Sequence, residues 1–400
     1  MKASIQIFNA GKGDCVFFQI DDGVKSIVTM IDCGKYTPAI RKHVEDNLGR
    51  HLHYLVVTHI DNDHIDGLVE MLEQTPDLTI DRILYNCNQL WDGQRNRKLT
   101  ETLTNEMQTL RENLPARQTN DGGKANASKA VTLAEKLAEK EEWWQAWKKD
   151  EYITTEIRPI VLDEHDEKYG VFTILSPNKG DIKKLNTKFK VEYSRLTKHL
   201  IEEGCYVEGQ EVLYELVARL VAMKRNNYKS YSSLKMAVPS NALDQNRLKQ
   251  AFEFKPCGVT DENEASIALM WEYGGKKVLL MGDAEPDEVA KQINDVYGKG
   301  VLDLEAIKVS HHGSKHSTSY ELMCCVDSDH YFFTGGNLTD KPSLEAIMKI
   351  INRSDKRKRT LHFNNPGNTI VKALASDSGA SVRKEYNFDI SESHEYHFEY

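Results

Sequence analysis

The chain has 400 residues, of which 40% are hydrophobic and 28% are charged. This composition excludes a mainly disordered chain and a protein that spans a membrane many times. The formal net charge of −9 lowers the expectation of a polyanionic substrate, although net charge describes solubility and steering rather than one surface. The seven cysteines show no CxxC spacing, which disfavours a disulfide framework and a thiolate zinc site.

The cellular location is predicted from what the sequence lacks. The first residues alternate like a strand instead of forming an apolar signal core, and no stretch approaches the ~18 apolar residues of a membrane-spanning helix. We therefore expect a cytoplasmic protein with reduced cysteines and no membrane association.

Strands and helices alternate in the first ninety residues. Apolar and β-branched runs predict strands at SIQIF, CVFFQI and SIVTMID. A helix is predicted to begin with Thr37 as its N-cap and Pro38 at its first position. Residues 54–58 predict a buried strand that leads directly into the polar segment 59–67, and a further strand is predicted at 80–87.

Two helical segments interrupt this pattern, one at 88–150 and one, locally basic, at 178–258. Within the second, residues 178–240 contain twelve lysines and arginines against seven acidic residues. The surrounding elements are predicted as strands at 157–162, 171–175, 265–271, 277–281, 306–310 and 331–334 and helices at 286–296 and 344–351. The length allows two or three domains. We predict a single α/β domain, 1–400, with two helical insertions.

The chemistry-bearing residues begin with His59, Asp61, Asp63 and His64, on a loop that leaves the end of a buried strand. Imidazole and carboxylate suit zinc, manganese or iron, and two ligands of each kind exceed what one ion usually takes from one loop. The pattern therefore predicts two metals. The alternative is that one aspartate caps the following helix and that the histidines are surface residues.

Two further clusters also follow apolar strands. Asp283 stands in KKVLLMGDAEP, where it is either a ligand or only a helix cap. His311 and His312 stand in KVSHHGS, with Lys315 nearby. We expect these strand ends to meet at one edge of one sheet.

Together these motifs resemble the metallo-β-lactamase superfamily and, within it, the hydrolase domain of the DNA-uptake protein ComEC. The resemblance rests on FNAGKGDC, IDCG, HIDNDHIDG, ILSP, ENEASIAL, LLMGD and KVSHHGS, in that order. It covers roughly residues 3–86, 157–177 and 259–345, and the HxDxDH signature is its most specific element. It implies an α/β fold, an αββα metallo-β-lactamase sandwich with helical insertions, and a binuclear site at the edge of the two sheets.

The resemblance also implies roles for individual residues. The metal ligands would be His59, Asp61, Asp63, His64, Asp283 and His311. His59 and Asp61 would belong to the first metal site, and Asp63, His64 and one histidine of HHGS to the second. Asp283 would bridge the two metals, and Asp32 would support the ligand loop. His312 would be a neighbouring proton donor, although the sequence does not separate the roles of His311 and His312.

The sequence departs from the superfamily pattern at two places. Asp61 stands where a histidine is commoner, and Asn263 and Ser266 stand at the start of the SIALMW strand, where a further histidine is usual. Because the first site is therefore poor in nitrogen, manganese is as reasonable as zinc. Lys341 replaces a histidine in the element after the last predicted strand, so that position is cationic.

Two divalent metal ions, zinc or manganese, would lower the pKa of a bridging water and stabilise an in-line displacement. We favour hydrolysis of phosphodiesters in a nucleic acid or nucleotide. Catalytic roles are predicted for Asp63, His312 and Lys315, and substrate contacts for Lys341, Lys183 and Lys184.

Two other functions stay open at this stage. One is hydrolysis of a small ester, lactone or lactam by the same centre. The other is a metal-stabilised binding or regulatory subunit, with an operon-encoded protein as partner. The basic segment itself has a plain alternative as a solvated helix face. At helical spacing Trp143 and Trp147 share a face, and packing is favoured for them over base stacking.

Overall fold

The computed structural model describes residues 1–86, 133–134, 136–147, 152–185, 187, 243–355, 357–391 and 393–400. The predicted insertions at 88–150 and 178–258 lie largely outside these ranges, and so does most of the basic segment 178–240. The single domain stays a prediction. Among the helices that the structure describes, none has the length and apolar character needed to cross a membrane.

The first sheet has six strands and contains both ends of the described chain. Its strands are β1 (Lys2–Ile7), β2 (Val16–Asp21), β3 (Ser26–Ile31), β4 (His51–Val57), β5 (Thr79–Tyr85) and β16 (Glu395–Glu399). They lie in the order β16-β1-β2-β3-β4-β5. The pairs from β16 to β3 are antiparallel, whereas β3, β4 and β5 are parallel.

The second sheet has eight strands. They are β6 (Ile160–Val161), β7 (Val171–Ser176), β8 (Ala268–Tyr273), β9 (Lys276–Leu280), β11 (Ala306–Lys308), β13 (His330–Phe333), β14 (Arg359–Phe363) and β15 (Phe388–Ser391). Their order is β15-β14-β13-β11-β9-β8-β7-β6, with the strands from β9 to β15 parallel. Two short strands, β10 (Leu302–Leu304) and β12 (Val326–Ser328), pair separately.

Most of the described helices begin at a residue whose side chain caps them. They are α1 (Pro38–Lys42), α2 (Asn62–Gln74), α3 (Glu141–Trp147), α4 (Gln245–Glu253), α5 (Asp261–Glu264), α6 (Pro286–Tyr297), α7 (Tyr320–Met323), α8 (Leu344–Ile351), α9 (Thr369–Ala375) and α10 (Ala380–Glu385). The predicted Thr37 cap is confirmed, because its hydroxyl accepts from the N–H of Ile40. A π-helical turn, His43–Asn47, continues α1.

The two sheets pack face to face. Phe18 on β2 and Trp271 on β8 contact each other in the shared core, with ring centroids 5.3 Å apart. The other face of the first sheet packs against α1, α2 and α3, and that of the second packs against helices that include α4, α6 and α8. The prediction of a mixed α/β fold is confirmed.

The tryptophans of α3 belong to the core. Trp143 and Trp147 are 2% and 1% exposed, and their indole N–H groups donate to the carbonyls of Leu78 and Tyr85. The expectation of packing rather than base stacking is confirmed for this pair.

Two histidines, His330 on β13 and His362 on β14, form a pair that lies next to β16. His330 Nδ1 lies 3.0 Å from His362 Nε2, and Tyr396 on β16 stacks on His330 at a centroid distance of 3.7 Å. His362 Nδ1 lies 2.9 Å from the carbonyl of Ser393, so Nδ1 carries the proton and Nε2 accepts from His330. A proton on His362 Nε2 removes that acceptor.

We expect this pair to make stability depend on pH. Burial, together with the neighbouring His362 and despite Asp329, lowers the pKa of His330 to about 4 from an ordinary 6.5. The unfolded chain therefore binds more protons between these values. This contribution to stability is fully present above pH ~6.5 and falls as the pH drops toward ~4.

Urea unfolding at pH 7.5 and at pH 5 measures the difference in the free energy of unfolding between the two conditions. His330→Phe, which keeps the ring stack on Tyr396, should reduce it, and an unchanged difference would contradict this assignment.

Candidate metal centre

Three loops that follow buried strands meet at one end of the molecule. The segment 58–61 follows β4, Asp283 follows β9, and His311 and His312 follow β11. β9 and β11 are neighbours in the second sheet, whereas β4 belongs to the first. The expectation of one edge of one sheet is therefore wrong. Both sheets contribute because they pack face to face and their strand ends are brought together.

Asp283 lies at the centre of these loops and is 1% exposed. Its Oδ1 is 3.4 Å from His64 Nε2, and its Oδ2 is 3.5 Å from His311 Nε2 and 3.8 Å from His59 Nε2. One carboxylate thus faces imidazoles with both of its oxygens. This is the arrangement expected of a ligand shared by two metal ions.

The remaining candidates fall on either side of Asp283. We define donor set A as His59, Asp61 and His311, on the side of Asp283 Oδ2. We define donor set B as Asp63, His64 and His312, on the side of Asp283 Oδ1. In set A, His59 Nε2 lies 3.7 Å from Asp61 Oδ2, and in set B, His312 Nε2 lies 3.3 Å from Asp63 Oδ2.

Helix capping does not account for the two aspartates. Asp61 occupies the N-cap position of α2 but makes no side-chain capping hydrogen bond. The cap of α6 is Glu285, whose carboxylate accepts from the N–H of Glu288 at 2.6 Å, rather than Asp283. The alternative explanation of Asp283 as only a helix cap is wrong.

The backbone of the HHGS segment directs its two histidines to different donor sets. His311 and His312 both have left-handed backbone angles, with φ of 50° and 56°. Such angles are uncommon outside glycine and are found where the surrounding structure imposes them. The structure therefore brings both histidines to the centre, His311 to set A and His312 to set B. The expectation that His311 completes the second site, with Asp63 and His64, is therefore wrong: His311 lies on the side of His59, and His312 is the histidine beside Asp63.

The donor atoms fit a cation. His59 Nε2, His64 Nε2 and Asp283 Oδ1 are buried and have no hydrogen-bond partner among the described residues. Buried polar atoms without partners are costly, so such a group indicates a ligand at this point. Nitrogen and carboxylate oxygen donors suit zinc, manganese and iron.

Asp32 contacts Nδ1 of His64, the ring nitrogen that does not face Asp283. It is fully buried, and its Oδ2 lies 2.8 Å from His64 Nδ1. The same carboxylate accepts from the N–H of Thr58 at 2.8 Å and from its hydroxyl at 2.6 Å. The orientation of a ligand imidazole is commonly fixed by such a partner.

Asn263 and Ser266 lie against donor set A. The Asn263 Nδ2 atom is 3.2 Å from His311 Nδ1, and the Ser317 hydroxyl is also 3.2 Å from it. Ser266 Oγ lies 3.4 Å from His59 Nδ1 and accepts from the N–H of Asp283 at 3.0 Å. Asn263 and Ser266 therefore contact the imidazoles of His311 and His59.

Sequence reasoning missed the residue that orients His312. Asp14 is 1% exposed, and its Oδ1 lies 2.8 Å from His312 Nδ1. Its other oxygen forms an ion pair with Lys308, which is 2% exposed and donates to the carbonyl of Gly282 at 2.8 Å. The only sequence signal was the GKGD loop, which was weak by itself.

That loop needs glycine because the backbone of the ligand loop approaches it closely. A Cβ on Gly13 would lie 1.7 Å from the carbonyl oxygen of Asp63, and one on Gly34 would lie 2.2 Å from the same atom. The N–H of Asp14 donates to that carbonyl at 3.1 Å. The two glycines thus leave room for the carbonyl of Asp63 to accept the hydrogen bond from the N–H of Asp14.

The charged groups of the centre shift one another's pKa. Burial favours the neutral form of Asp283, but His311 and His64 overcome it and hold its pKa well below the ordinary range. Burial likewise opposes ionisation of Asp14, whose pKa is nevertheless held low by Lys308 and His312. Both carboxylates are therefore ionised at neutral pH.

The predicted catalytic Lys315 and the predicted substrate contacts Lys341, Lys183 and Lys184 lie in different surroundings. The charge of Lys341 contributes, after burial, to lowering the pKa of His311 to about 4. Lys315 is exposed, with its Nζ 5.2 Å from the ring centroid of Phe254. Lys183 is exposed, and Lys184 pairs with Glu264 at 2.8 Å.

Comparisons with known proteins found similar solved structures but no matching family. No protein-family model matches the chain, and no curated protein matches it. Among solved structures, the chain is similar to CmlA, a diiron beta-hydroxylase from Streptomyces venezuelae, with a TM-score of 0.38 and 9% identity over 99% of this chain and 54% of that one. A mutant of CmlA gives a TM-score of 0.35 with 9% identity and the same coverage. The chain spans about half the length of these proteins.

Proposed function

We propose that the chain has the αββα metallo-β-lactamase fold and hydrolyses phosphodiesters with two divalent metal ions. The observation that carries this proposal is Asp283, whose two oxygens face the imidazoles of two adjacent donor sets. Support for the fold comes from the two face-to-face sheets with helices on their outer faces, and from the order of the motifs. The ComEC-like pattern favours a phosphodiester over a carbonyl substrate.

Donor sets A and B would each hold one ion, with Asp283 shared between them. When bound, two such ions supply a nucleophilic water at neutral pH and stabilise charge on phosphoryl oxygens. The donors suit Zn²⁺, Mn²⁺ and Fe²⁺ alike, so the metal is to be identified by experiment.

The protein's own residues orient these donors and supply positive charge. The Asp14 carboxylate pairs with His312 Nδ1 at 2.8 Å, which leaves Nε2 of that imidazole to act as the ligand. Lys315 and Lys341 would bind the non-bridging oxygens of the phosphate and stabilise the charge that develops there. In the described part of the chain, no carboxylate forms an ion pair with either lysine.

The test is metal analysis of the purified protein with a substrate screen. We expect about two metal ions per chain and hydrolysis of bis(p-nitrophenyl) phosphate and of an oligonucleotide. A lactone, a lactam and a carboxylic ester should be poor substrates. Removal of metal by a chelator should abolish activity, and addition of Mn²⁺, Zn²⁺ or Fe²⁺ should restore it.

Two outcomes would overturn the proposal. Hydrolysis of carbonyl substrates alone would assign the same centre to ester or lactam chemistry. Absence of bound metal, with activity that survives the chelator, would remove the binuclear mechanism itself.

A further inference from the structure

The two donor sets offer a metal ion the same kinds of direct ligand. Each set combines two imidazoles with one aspartate, and each faces one oxygen of Asp283. A difference in affinity between the two sets therefore has to come from the groups behind the imidazoles. The partner of the second ring nitrogen fixes a ligand imidazole and raises its basicity, and a carboxylate does this more strongly than a neutral group.

Carboxylates lie behind both imidazoles of donor set B. His64 Nδ1 is 2.8 Å from Asp32 Oδ2, and His312 Nδ1 is 2.8 Å from Asp14 Oδ1. Lys308 offsets the charge of Asp14, whereas Asp32 forms no ion pair with a lysine or arginine in the described part of the chain. Both imidazoles of set B thus have a carboxylate partner.

The groups behind His59, in donor set A, are hydroxyls. His59 Nδ1 lies 3.0 Å from Thr58 Oγ1 and 3.4 Å from Ser266 Oγ. The Thr58 hydroxyl donates to Asp32 at 2.6 Å, so its oxygen can accept from His59. The Asp32 carboxylate therefore reaches this imidazole only through a neutral hydroxyl.

The groups behind His311, the other imidazole of donor set A, are an amide and a hydroxyl. His311 Nδ1 lies 3.2 Å from Asn263 Nδ2 and 3.2 Å from Ser317 Oγ. Coordination through Nε2 leaves the proton on Nδ1, which then needs an acceptor. Asn263 Oδ1 is buried and has no hydrogen-bond partner among the described residues, and a half-turn of the amide brings this oxygen to Nδ1. The acceptor behind His311 is therefore neutral.

We propose that donor set B holds its metal ion tightly and donor set A holds an exchangeable one, with Asn263 as a positioning residue that sets the weaker affinity. Exposure agrees with this order, because the side chain of His311 is 25% exposed and those of His64 and His312 are fully buried. The inference rests on the binuclear centre of the proposed function and adds to it the order in which the ions bind. Activity should then follow the occupancy of set A.

Titration of the metal-free full chain with Zn²⁺, in competition with a chromophoric chelator, tests this order. We expect two steps whose dissociation constants differ by about 10–100-fold, roughly the effect of removing a carboxylate partner. In NMR spectra of the chain labelled with ¹⁵N-histidine, the first equivalent should shift the ring nitrogens of His64 and His312, and the second those of His59 and His311. Two equal steps, or a shift of His311 with the first equivalent, would overturn the order.

Substitutions of Asn263 test its role. Asn263→Asp gives His311 the carboxylate partner that it lacks, so the second step should tighten by about 10-fold or more while the first stays unchanged. Asn263→Leu removes the acceptor and should weaken the second step several-fold, with the Ser317 hydroxyl remaining. Two variants with opposite expected effects keep the test valid if one of them fails to fold.

Asn47→Asp is the matched control. Asn47 Nδ2 lies 3.2 Å from His43 Nδ1, which is the same contact between amide and imidazole but outside the donor sets. The variant adds the same charge to the chain, and both titration steps should keep their parental values.

The failures of the two proposals are distinguishable. If Asn263→Asp changes the second step no more than Asn47→Asp does, the role of Asn263 is wrong, even where bis(p-nitrophenyl) phosphate is hydrolysed. If the two steps and the variants behave as expected but no phosphodiester is hydrolysed, the proposed function is wrong and the assignment of the two ions stands.

Discussion

Replacing Asp283 with asparagine should reduce the metal content from about two ions to at most one per chain and lower phosphodiesterase activity by about 10³-fold or more. The carboxylate is buried, and its two oxygens face His64 on one side and His311 and His59 on the other. An asparagine offers one neutral oxygen and one N–H₂ group, so it can serve at most one donor set. The measurement is metal content per chain together with kcat on bis(p-nitrophenyl) phosphate.

Glu285→Gln is the matched control for this variant. Glu285 stands two residues further along and caps α6, with its carboxylate 2.6 Å from the N–H of Glu288. This substitution also neutralises a carboxylate, and glutamine keeps an acceptor for the cap, so the variant should retain two metal ions and parental activity. A full complement of metal in Asp283→Asn would show that Asp283 is not the shared ligand.

The parts of the fold that sequence predicted best have strong local signals. The helix predicted at 344–351 coincides with α8 (Leu344–Ile351), which has a serine cap and apolar residues along most of its length. The last three strands were not predicted, and for β16 the reason is that its signal is not local. β16 has one buried residue, Phe398, and becomes a strand by pairing with β1 at the opposite end of the chain.

In the candidate site, too, the residues with a local signal were predicted and those that depend on the folded structure were not. His59, Asp61, Asp63 and His64 lie within six residues, so spacing alone was enough to suggest a metal centre. Spacing could not show that adjacent histidines face different donor sets, because that depends on left-handed backbone angles at both. Nor could it find Asp14, which is distant in sequence from each of its charged partners and meets them only after the sheets pack.

Replacing Lys308 with methionine should destabilise the protein by about 3–5 kcal/mol, because it leaves the Asp14 carboxylate buried without its ammonium partner. Both side chains are almost fully buried, at 2% and 1% exposure. Methionine nearly preserves the volume, so the loss reports charge rather than packing. The measurement is the free energy of unfolding in urea, compared with that of the parent. The m-value, the slope of this free energy against urea concentration, should be the same in both proteins.

A double variant, Asp14→Leu with Lys308→Met, separates the ion pair from the role of Asp14 at the centre. Removing both charges leaves no unpaired ion, so much of the lost stability should return. Metal affinity should not return with it, because His312 Nδ1 has then lost the carboxylate that lies 2.8 Å away. Loss of such a partner typically costs 10–100-fold in metal affinity or activity, roughly the effect expected here. A double variant less stable than Lys308→Met would contradict the ion-pair assignment, and one with parental metal affinity would show that Asp14 does not orient His312.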